Sequence, residues 1–482
     1  MKIGPLTTPR HRPVAILIPG RRSLEVITDT GSVKHNGAAK INLALSQLTG
    51  HVCFAMSRLP DMIHTTGALS WRMELWRGRP TRMIHAATGV SISSLRGTLD
   101  YSREPFTDLA MVLDWLRTYN VPAGSVSSMS WALFRASLGT NYTIGFDPDI
   151  AQMAMFGGRQ ESAKPARHEN MTSFDIRAAY PVAMASRPYA LSLHSVHVAS
   201  RLDPDSPGLV EATVNVPDDM PWAPLPVRIA PGHIRFQHGT IQGVWPWVEL
   251  SAAKELGCDV KIHRIWAPRR TADLFANWWP MVAEGRALPG CAGVLAKAIA
   301  NSTWGQFGMV GEERSTMQWT ADDGSQSFNI EQPARKLPHE WTAHVAAETT
   351  ARIRTRMLLE GLYSTCEPVY VDTDGIIVPD GSQLPSNSGP GPGQWRVKER
   401  MGAVEIRGPQ FYRWTCGAAC GVEHAEWHYN CAGVPDDQAP AVFAQTQNPG
   451  PAIEWVRNYD HGLTDLAAVA LAVRDRQVVD EW

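Results

Sequence analysis

Residues 369–379, VYVDTDGIIVP, carry the most informative pattern in this chain. Asp372 and Asp374 stand two positions apart between apolar residues typical of buried strands. Two carboxylates on one face of a hairpin repel each other and cost folding energy unless a cation neutralises them. Oxygen ligands favour magnesium or manganese over zinc. The pattern therefore predicts a strand hairpin that binds divalent cations.

Two further segments carry polar residues at suggestive positions. In SFDIRAAYP, residues 173–181, Asp175 ends an apolar strand and Tyr180 begins a helix-compatible run. In LAKAIANSTWGQFG, residues 295–308, Lys297 and Asn301 lie four apart on one helix face, and Gly305 is able to end the helix. Taken alone, the first pattern is usually a cap or turn and the second an ordinary amphipathic helix. Their order along the chain, together with the paired aspartates, is what makes them specific.

In that order the three segments resemble the polymerase motifs of family B DNA polymerases, of the compact phage or mobile-element type that includes protein-primed enzymes. The first resembles D-x-x-S-L-Y-P, the second K-x-x-x-N-S-x-Y-G with Trp304 in place of the tyrosine, and the third Y-x-D-T-D-S with Gly375 in place of the serine. FGGRQE, residues 156–161, resembles the Gly-Gly segment that joins the N-terminal domain to the palm in these proteins and touches the template strand.

The resemblance implies an α+β (mixed α/β) right-hand polymerase with palm, fingers and thumb behind an N-terminal α/β domain. The implied boundaries are 1–155 for the N-terminal domain, 156–270 and 339–408 for the two parts of the palm, 271–308 for the fingers, 309–338 for an inserted hairpin and 409–482 for the thumb.

The resemblance also implies the activity, which is two-metal transfer of a nucleotide from a dNTP to a primer 3′-hydroxyl on a DNA template. Asp175 and Asp374 would be the main ligands of two Mg²⁺ or Mn²⁺ ions, with Asp372 as a weaker ligand. The nucleotide-binding residues would be Lys297, Asn301, Tyr180 and Arg286, with Tyr180 excluding a 2′-hydroxyl. The DNA-binding residues would be Gly157, Gly158, Arg159, Trp304, Gly305, Gln410 and Tyr412.

Two departures from the family pattern limit the prediction. No Asp-x-Glu occurs in residues 1–155, so the N-terminal domain is expected to lack the 3′ to 5′ exonuclease site. It is either a degenerate RNase H-like exonuclease domain or an unrelated one. Where the family has Lys-x-Tyr at the primer end, this chain has Gln410 and Tyr412, and Arg407 or Arg413 is a candidate to replace the missing charge.

Composition bounds these expectations. The chain has 482 residues, 44% hydrophobic and 19% charged, which is the balance of a folded protein of several subdomains. A net charge of −2 gives no bulk support for nucleic-acid binding, although basic residues cluster locally, as in Arg352, Arg354 and Arg356. Without a long apolar run we expect a soluble, cytoplasmic monomer, in the host cytoplasm if phage-encoded, with no membrane partner. Seven scattered cysteines predict no disulfides.

Several alternatives stay open. The protein could be a catalytically silent nucleic-acid-binding scaffold with the same fold, or a reverse transcriptase, although adjacent aspartates are usual there. Initiation could use a DNA or RNA primer, a terminal protein or no primer, and other replication proteins are candidate partners. A cluster with the residue types that bind zinc forms the remaining alternative. Its members are Cys416, Cys420, His424, His428 and Cys431.

Overall fold

The three-dimensional structure is a computed structural model of the chain. It describes residues 2–3, 13–20, 23–28, 30–36, 38–49, 51–55, 71–76, 79–88, 90–94, 102, 104–162, 166–196, 205–230, 233–308, 314–319, 326–331, 342–364, 368–416, 427–431, 439–445, 452–454 and 472–474. They group into two compact units, one built from 1–143, 274–341 and 457–466 and the other from 144–273, 342–456 and 467–482.

The described strands, in chain order, are β1 (Lys2–Ile3), β2 (Val14–Gly20), β3 (Ser23–Thr28), β4 (Gly31–Asn36), β5 (Val52–Ala55), β6 (Trp71–Trp76), β7 (Arg79–His85), β8 (Ser91–Ser94), β9 (Tyr142–Thr143), β10 (Gln160–Ser162), β11 (Ala166–Ile176), β12 (Tyr189–Val196), β13 (Leu209–Val216), β14 (Pro226–Ala230), β15 (His233–Phe236), β16 (Gly239–Pro246), β17 (Asp259–Ala272), β18 (Arg314–Trp319), β19 (Gln326–Glu331), β20 (Tyr370–Asp372), β21 (Gly375–Pro379), β22 (Trp395–Gly408), β23 (Phe411–Cys416), β24 (His428–Cys431), β25 (Ala452–Glu454) and β26 (Ala472–Arg474).

The described helices are α1 (Ala38–Gln47), α2 (Pro105–Thr118), α3 (Val126–Ala136), α4 (Pro148–Met153), α5 (Ala179–Ala185), α6 (Trp247–Glu255), α7 (Trp278–Arg286), α8 (Gly290–Gly308), α9 (Ala343–Arg356) and α10 (Ala439–Gln445), with a π-helical turn at Met357–Leu362. Among these helices, none combines the length and the apolar character needed to cross a membrane.

The first unit contains a mixed sheet in the order β19-β18-β6-β7-β8-β5-β2-β3-β4. The pairs β2–β5 and β5–β8 are parallel and the other pairs are antiparallel. The hairpin of β18 and β19 lies within the segment 309–338 and continues this sheet through β6, whereas residues 309–313, 320–325 and 332–338 lie outside the described residues.

The same unit contains the helices α2, α3, α7 and α8. Helix α2 begins with Pro105 and buries Leu109, Val112, Leu113 and Leu116, the face that the sequence pattern indicates. The rings of Phe134, Phe275 and Phe307 contact one another between α3, α7 and α8, with centroids 5.1–5.7 Å apart. This packing fixes α8, which carries Lys297. The prediction that Gly305 ends this helix is wrong, since α8 continues to Gly308.

The second unit is built on an antiparallel sheet in the order β10-β20-β21-β11-β22-β23-β24. Phe174, Val371, Ile376 and Trp395 pack with the π-helical turn after α9 in one buried cluster. A further antiparallel sheet has the order β12-β17-β13-β16. The seven-stranded sheet carries Asp175 on its fourth strand and Asp372 on its second, so its register decides how the carboxylates meet.

Candidate active site

Five residues on adjacent strands of this sheet form a single row, here called the cross-strand row. Gln160 on β10 pairs with Asp372 on β20, Asp372 with Gly375 on β21, Gly375 with Asp175 on β11, and Asp175 with Arg396 on β22. Residues directly opposite each other in antiparallel strands point to the same face. With strands spaced about 4.8 Å apart, the backbones of Asp175 and Asp372 lie roughly 10 Å apart on one face.

Gly375 lies between the two carboxylates and keeps the space between them open. A Cβ atom at this position would stand 3.0 Å from the Phe174 carbonyl oxygen and 3.8 Å from the Asp175 Cβ. The family's serine at this position would place a side chain on the face that Asp175 and Asp372 share. Gly375 thus leaves the space between the two carboxylates free of a side chain.

The turn that carries Thr373 and Asp374 is held on both sides by backbone hydrogen bonds. Thr373 adopts a positive φ of 56°, which costs energy for a β-branched residue, and its N–H donates to the Arg159 carbonyl over 2.7 Å. The N–H of Ile176 donates to the Asp374 carbonyl over 2.8 Å. These bonds connect the turn to the ends of β10 and β11, so the segments of all three aspartates meet at one edge of the sheet.

The carboxylate of Asp372 is oriented by neutral donors. Gln160 Nε2 donates to its Oδ1 over 3.1 Å, and Thr373 Oγ1 contacts the same oxygen at 3.1 Å. The hydroxyl of Tyr370 donates to Oδ2 over 3.3 Å and itself accepts from the Gln410 backbone N–H at 2.7 Å. Asp372 is therefore coupled to the turn between β22 and β23 that holds Gln410.

The carboxylate of Asp175 is paired with an arginine. Arg396 Nε donates to Oδ1 over 2.7 Å, and Nη2 donates to Oδ2 over 3.3 Å. Hydrogen bonding to Asp175 raises the pKa of the Arg396 guanidinium. In the part of the chain that the structure describes, no three Asp, Glu, His or Cys side chains converge as a metal site. The carboxylate of Asp175 is thus paired with Arg396 and does not form a cluster with the carboxylates of Asp372 and Asp374.

Tyr180 stands beside the paired aspartates. It lies in the first turn of α5, after Ala178, which adopts the left-handed conformation with φ 55°. Burial raises the pKa of Tyr180, and the negative charges of Asp374 and Asp372 raise it further. The phenol is therefore neutral at physiological pH, and it lies close enough to these aspartates to sense their charge.

The Gly-Gly segment contacts the same turn. A Cβ at Gly158 would lie 2.7–3.0 Å from three side-chain atoms of Thr373, so only glycine fits without a shift of the turn. Gly157 is exposed, and a Cβ there would have no neighbour within 4 Å. The segment thus supports the turn through Gly158 and leaves Gly157 accessible.

The prediction that the Arg159 side chain contacts DNA is wrong. Arg159 is 1% exposed and pairs with Glu161, and its guanidinium carbon lies 4.2 Å from the centre of the Phe236 ring. A buried, paired guanidinium is not accessible to a phosphate backbone. The contribution of Arg159 to the site is its carbonyl, which accepts from Thr373.

Arg354 on α9 fixes the backbone at the start of the Gly-Gly segment. Its Nε and Nη2 donate to the two carboxylate oxygens of Glu249 at 2.6 and 2.7 Å, with both side chains at most 2% exposed. Its Nη1 donates to the carbonyls of Phe156 and Gly157 at 2.9 and 2.6 Å. The sequence indicated a basic cluster here, and the structure shows that this arginine is structural.

The residues expected to bind the nucleotide from the fingers, Lys297, Asn301 and Arg286, belong to the first unit. Lys297 and Asn301 are exposed on one face of α8, as their spacing predicts. Arg286 is the last residue of α7, and Trp304 and Gly305 are half-buried in the last turns of α8.

At the expected primer end, Gln410 has a φ of 57° in the turn before β23. Tyr412 is 9% exposed and packs on Tyr370 with ring centroids 4.8 Å apart, and burial raises the pKa of Tyr412 to about 12. Arg407 and Arg413 both pair with Glu405 at 2.6–2.7 Å. The single negative charge of Glu405 offsets only one of their two positive charges, so the replacement of the missing lysine by Arg407 or Arg413 stays a prediction.

The cysteine and histidine cluster is only partly described. Cys416 Sγ lies 3.3 Å from His428 Nε2, and Cys431 is buried on β24, whereas Cys420 and His424 lie outside the described residues. Among the described residues, Cys258, Cys291 and Cys431 are free thiols. The zinc hypothesis therefore stays a hypothesis.

Several residues of the site were not singled out by sequence reasoning. Gln160 and Arg396 are partners of Asp372 and Asp175 only because of strand register, which local patterns do not reveal. Arg396 appeared in the sequence only as one basic residue among several near 400. For Gly375 a signal existed, because it replaces a serine within a motif, but its position between two carboxylates required the sheet.

Solved structures share this fold over almost the whole chain. Phi29 DNA polymerase complexed with primer-template DNA and incoming nucleotide substrates matches with a TM-score of 0.66 and 14% identity, covering 92% of this chain and 96% of that one. Its orthorhombic crystal form matches at 0.65 and 13% identity, covering 91% and 95%. The sequence matches no family model and no curated protein. The chain has the mixed α/β fold of Phi29 DNA polymerase, so the expected resemblance to family B DNA polymerases is confirmed for the fold.

Proposed function

We propose that this protein is a template-directed DNA polymerase that transfers a nucleotide from a dNTP to a primer 3′-hydroxyl. The observation that carries the proposal is the cross-strand row, in which two carboxylates share a face across a glycine and Asp374 lies in the adjoining turn. The fold of a DNA polymerase around that row supports it.

The chemistry of the three donors fits a pair of hard divalent cations, although their side chains do not converge in this structure. Three carboxylates at one sheet edge supply oxygens alone, the chemistry that Mg²⁺ and Mn²⁺ prefer, and few protein ligands leave positions for triphosphate oxygens. Asp175 and Asp374 would hold the ions, with Asp372 as a weaker ligand. Such ions, when bound, lower the pKa of the attacking hydroxyl and stabilise the charge on the leaving group.

The other residues position the substrates in this proposal. Lys297 binds the triphosphate as a point charge, and Asn301, one turn on, faces the incoming nucleotide. Arg286 is a further phosphate ligand, and Tyr180 packs under the sugar. Gly157, Gly158, Trp304, Gly305, Gln410 and Tyr412 contact template and primer, with Gly158 acting also through the turn.

We assign the parts of the chain accordingly. The palm comprises 156–270 and 339–408, the fingers 271–308 and the thumb 409–482. The segment 309–338 is assigned to strand displacement. The N-terminal sheet has three antiparallel strands, then a helix, then parallel strands, which favours an exonuclease-like ancestry for residues 1–155 over an unrelated domain. DNA is the proposed partner, and a terminal protein is a candidate if initiation is protein-primed.

The decisive experiment is extension of a labelled primer-template with Mg²⁺ and dNTPs. Asp374→Asn should reduce extension by at least about a hundredfold, because several kcal/mol of charge stabilisation is lost. Asp372→Asn should be less damaging. Asp380→Asn is the matched control, since Asp380 follows the same hairpin but pairs with Arg400.

The rival functions predict different outcomes in the same assay. A silent scaffold would bind primer-template and show no metal-dependent extension on any template. A reverse transcriptase would extend on RNA at least as well as on DNA. A primer-free reaction run in parallel separates unprimed initiation from primer extension.

A further inference from the structure

The two carboxylates of the cross-strand row accept hydrogen bonds from different kinds of donor. Among the described residues, the hydrogen bonds to Asp372 come from the neutral groups of Gln160, Thr373 and Tyr370. Asp175 is contacted by the fixed positive charge of Arg396, which covers both of its oxygens. These neutral donors do not offset the negative charge of Asp372. The negative charge of Asp175 is offset by the Arg396 guanidinium.

The Asp175–Arg396 pair is open to solvent on one side. The side chain of Arg396 is 41% exposed and that of Asp175 is 19% exposed. A guanidinium bound to both oxygens occupies two of the roughly four lone-pair sites of the carboxylate, and its positive charge repels a metal ion that approaches the others. Because Arg396 has solvent on one side, it can leave the carboxylate without breaking a buried core.

We propose that Arg396 competes with a divalent cation for Asp175 and releases at least one carboxylate oxygen when the cation binds. This inference rests on the proposed function, because it takes Asp175 as a cation ligand. Arg396 is a positioning residue that holds Asp175 toward β22 until the cation arrives. It thereby raises the cation concentration at which the site fills.

The expected size of the effect follows from the exposure of the pair. Partly exposed ion pairs shift an equilibrium by about two- to fivefold. Removing the guanidinium should therefore tighten cation binding at Asp175 by about threefold or more, and the shift should shrink as salt screens the charges.

Mn²⁺ binding to the full chain, without DNA or nucleotide, tests this directly. The six-line electron paramagnetic resonance signal of aqueous Mn²⁺ measures the free ion. Arg396→Gln should bind Mn²⁺ about threefold more tightly than wild type, and Arg396→Lys, which keeps the charge without the fork, should be intermediate. Arg400→Gln is the matched control. Arg400 lies four residues further along the same strand, its side chain is 51% exposed, and it pairs with Asp380.

The outcomes separate this inference from the proposed function. Unchanged or weaker Mn²⁺ binding by Arg396→Gln, while Asp175→Asn weakens binding, would overturn the role of Arg396 alone. Unchanged binding by Asp175→Asn would remove Asp175 as a ligand and overturn both. Melting curves establish whether each variant is folded. If Arg396→Gln is unfolded, the comparison with wild type uses Arg396→Lys. A second readout is the Mg²⁺ concentration for half-maximal extension, which Arg396→Gln should lower.

Discussion

Tyr180 lies in the first turn of α5, five residues after Asp175, and burial together with the negative charges of Asp374 and Asp372 raises the pKa of its hydroxyl. A ring in that position restricts the space next to the sugar. Tyr180→Ala should increase ribonucleotide incorporation relative to deoxynucleotides by about ten- to a hundredfold, the range for adding or removing a small group in a pocket. Single-nucleotide extension with rNTP and dNTP measures the ratio.

Tyr180→Phe is the control for that experiment. It removes the hydroxyl and keeps the ring, so a steric mechanism predicts that the ratio stays near the wild-type value. Equal ribonucleotide use by Tyr180→Ala and wild type would contradict the role of the ring.

Gly158 and Gly157 differ in the space that surrounds them. Gly158→Ala would press a methyl group against Thr373 at 2.7–3.0 Å, whereas Gly157→Ala meets nothing within 4 Å. Gly158→Ala should cost about 1–3 kcal/mol of stability through overpacking and so lower the melting temperature by a few degrees. Gly157→Ala should leave the melting temperature nearly unchanged. Thermal unfolding followed by circular dichroism compares the two variants. Equal melting temperatures would show that the turn accommodates the methyl group at no measurable cost.

At the scale of elements, the arginines of α9 hydrogen-bond several backbone segments around the seven-stranded sheet. Arg352 donates to the carbonyls of Ala183 within α5 and of Arg187 and Pro188 after it. Arg356 pairs with Glu360 and donates to the Gly393 carbonyl. With Arg354, three alternate residues of one helix thus bind three different backbone segments around the site.

Arg354 provides the test of that arrangement. Arg354→Met leaves Glu249 buried without its partner, so it should reduce the free energy of unfolding by about 3–5 kcal/mol. Adding Glu249→Met should recover part of the loss, since no buried charge then remains. Arg117→Met, which breaks an exposed pair with Asp114, should cost less than about 1 kcal/mol. Urea unfolding gives the values, and a loss in Arg354→Met no greater than in Arg117→Met would contradict a structural role.

At the scale of the whole molecule, the missing Asp-x-Glu in residues 1–155 has a measurable consequence. We expect a mismatched primer 3′ end to stay intact with Mg²⁺ and no dNTP, because the Asp-x-Glu carboxylates that would hold the metal ions of a two-metal nuclease are missing there. Gel analysis of the labelled primer measures this. Stepwise loss of 3′ nucleotides that stays with the protein through successive purification steps would show a nuclease site elsewhere in the chain, whereas degradation that separates from it belongs to a contaminant.

The sequence by itself determined which residues are candidates for the site, in the three short segments around Asp175, Lys297 and Asp372. Contiguous residues on one strand or helix have side-chain directions set by the local period, so their spacing could be interpreted directly. The mixed α/β polymerase fold followed from the order of those segments, and the structural matches agree with it.

Only the tertiary structure decided which groups surround the aspartates. Gln160, Gly375 and Arg396 join Asp372 and Asp175 in one row through the register of five strands. A shift of one residue in any pairing would turn a side chain to the other face, and nothing local fixes that pairing. For the same reason Arg159 and Arg354 could not be assigned from sequence. Whether an arginine binds a phosphate or a buried glutamate depends on residues far away in the chain.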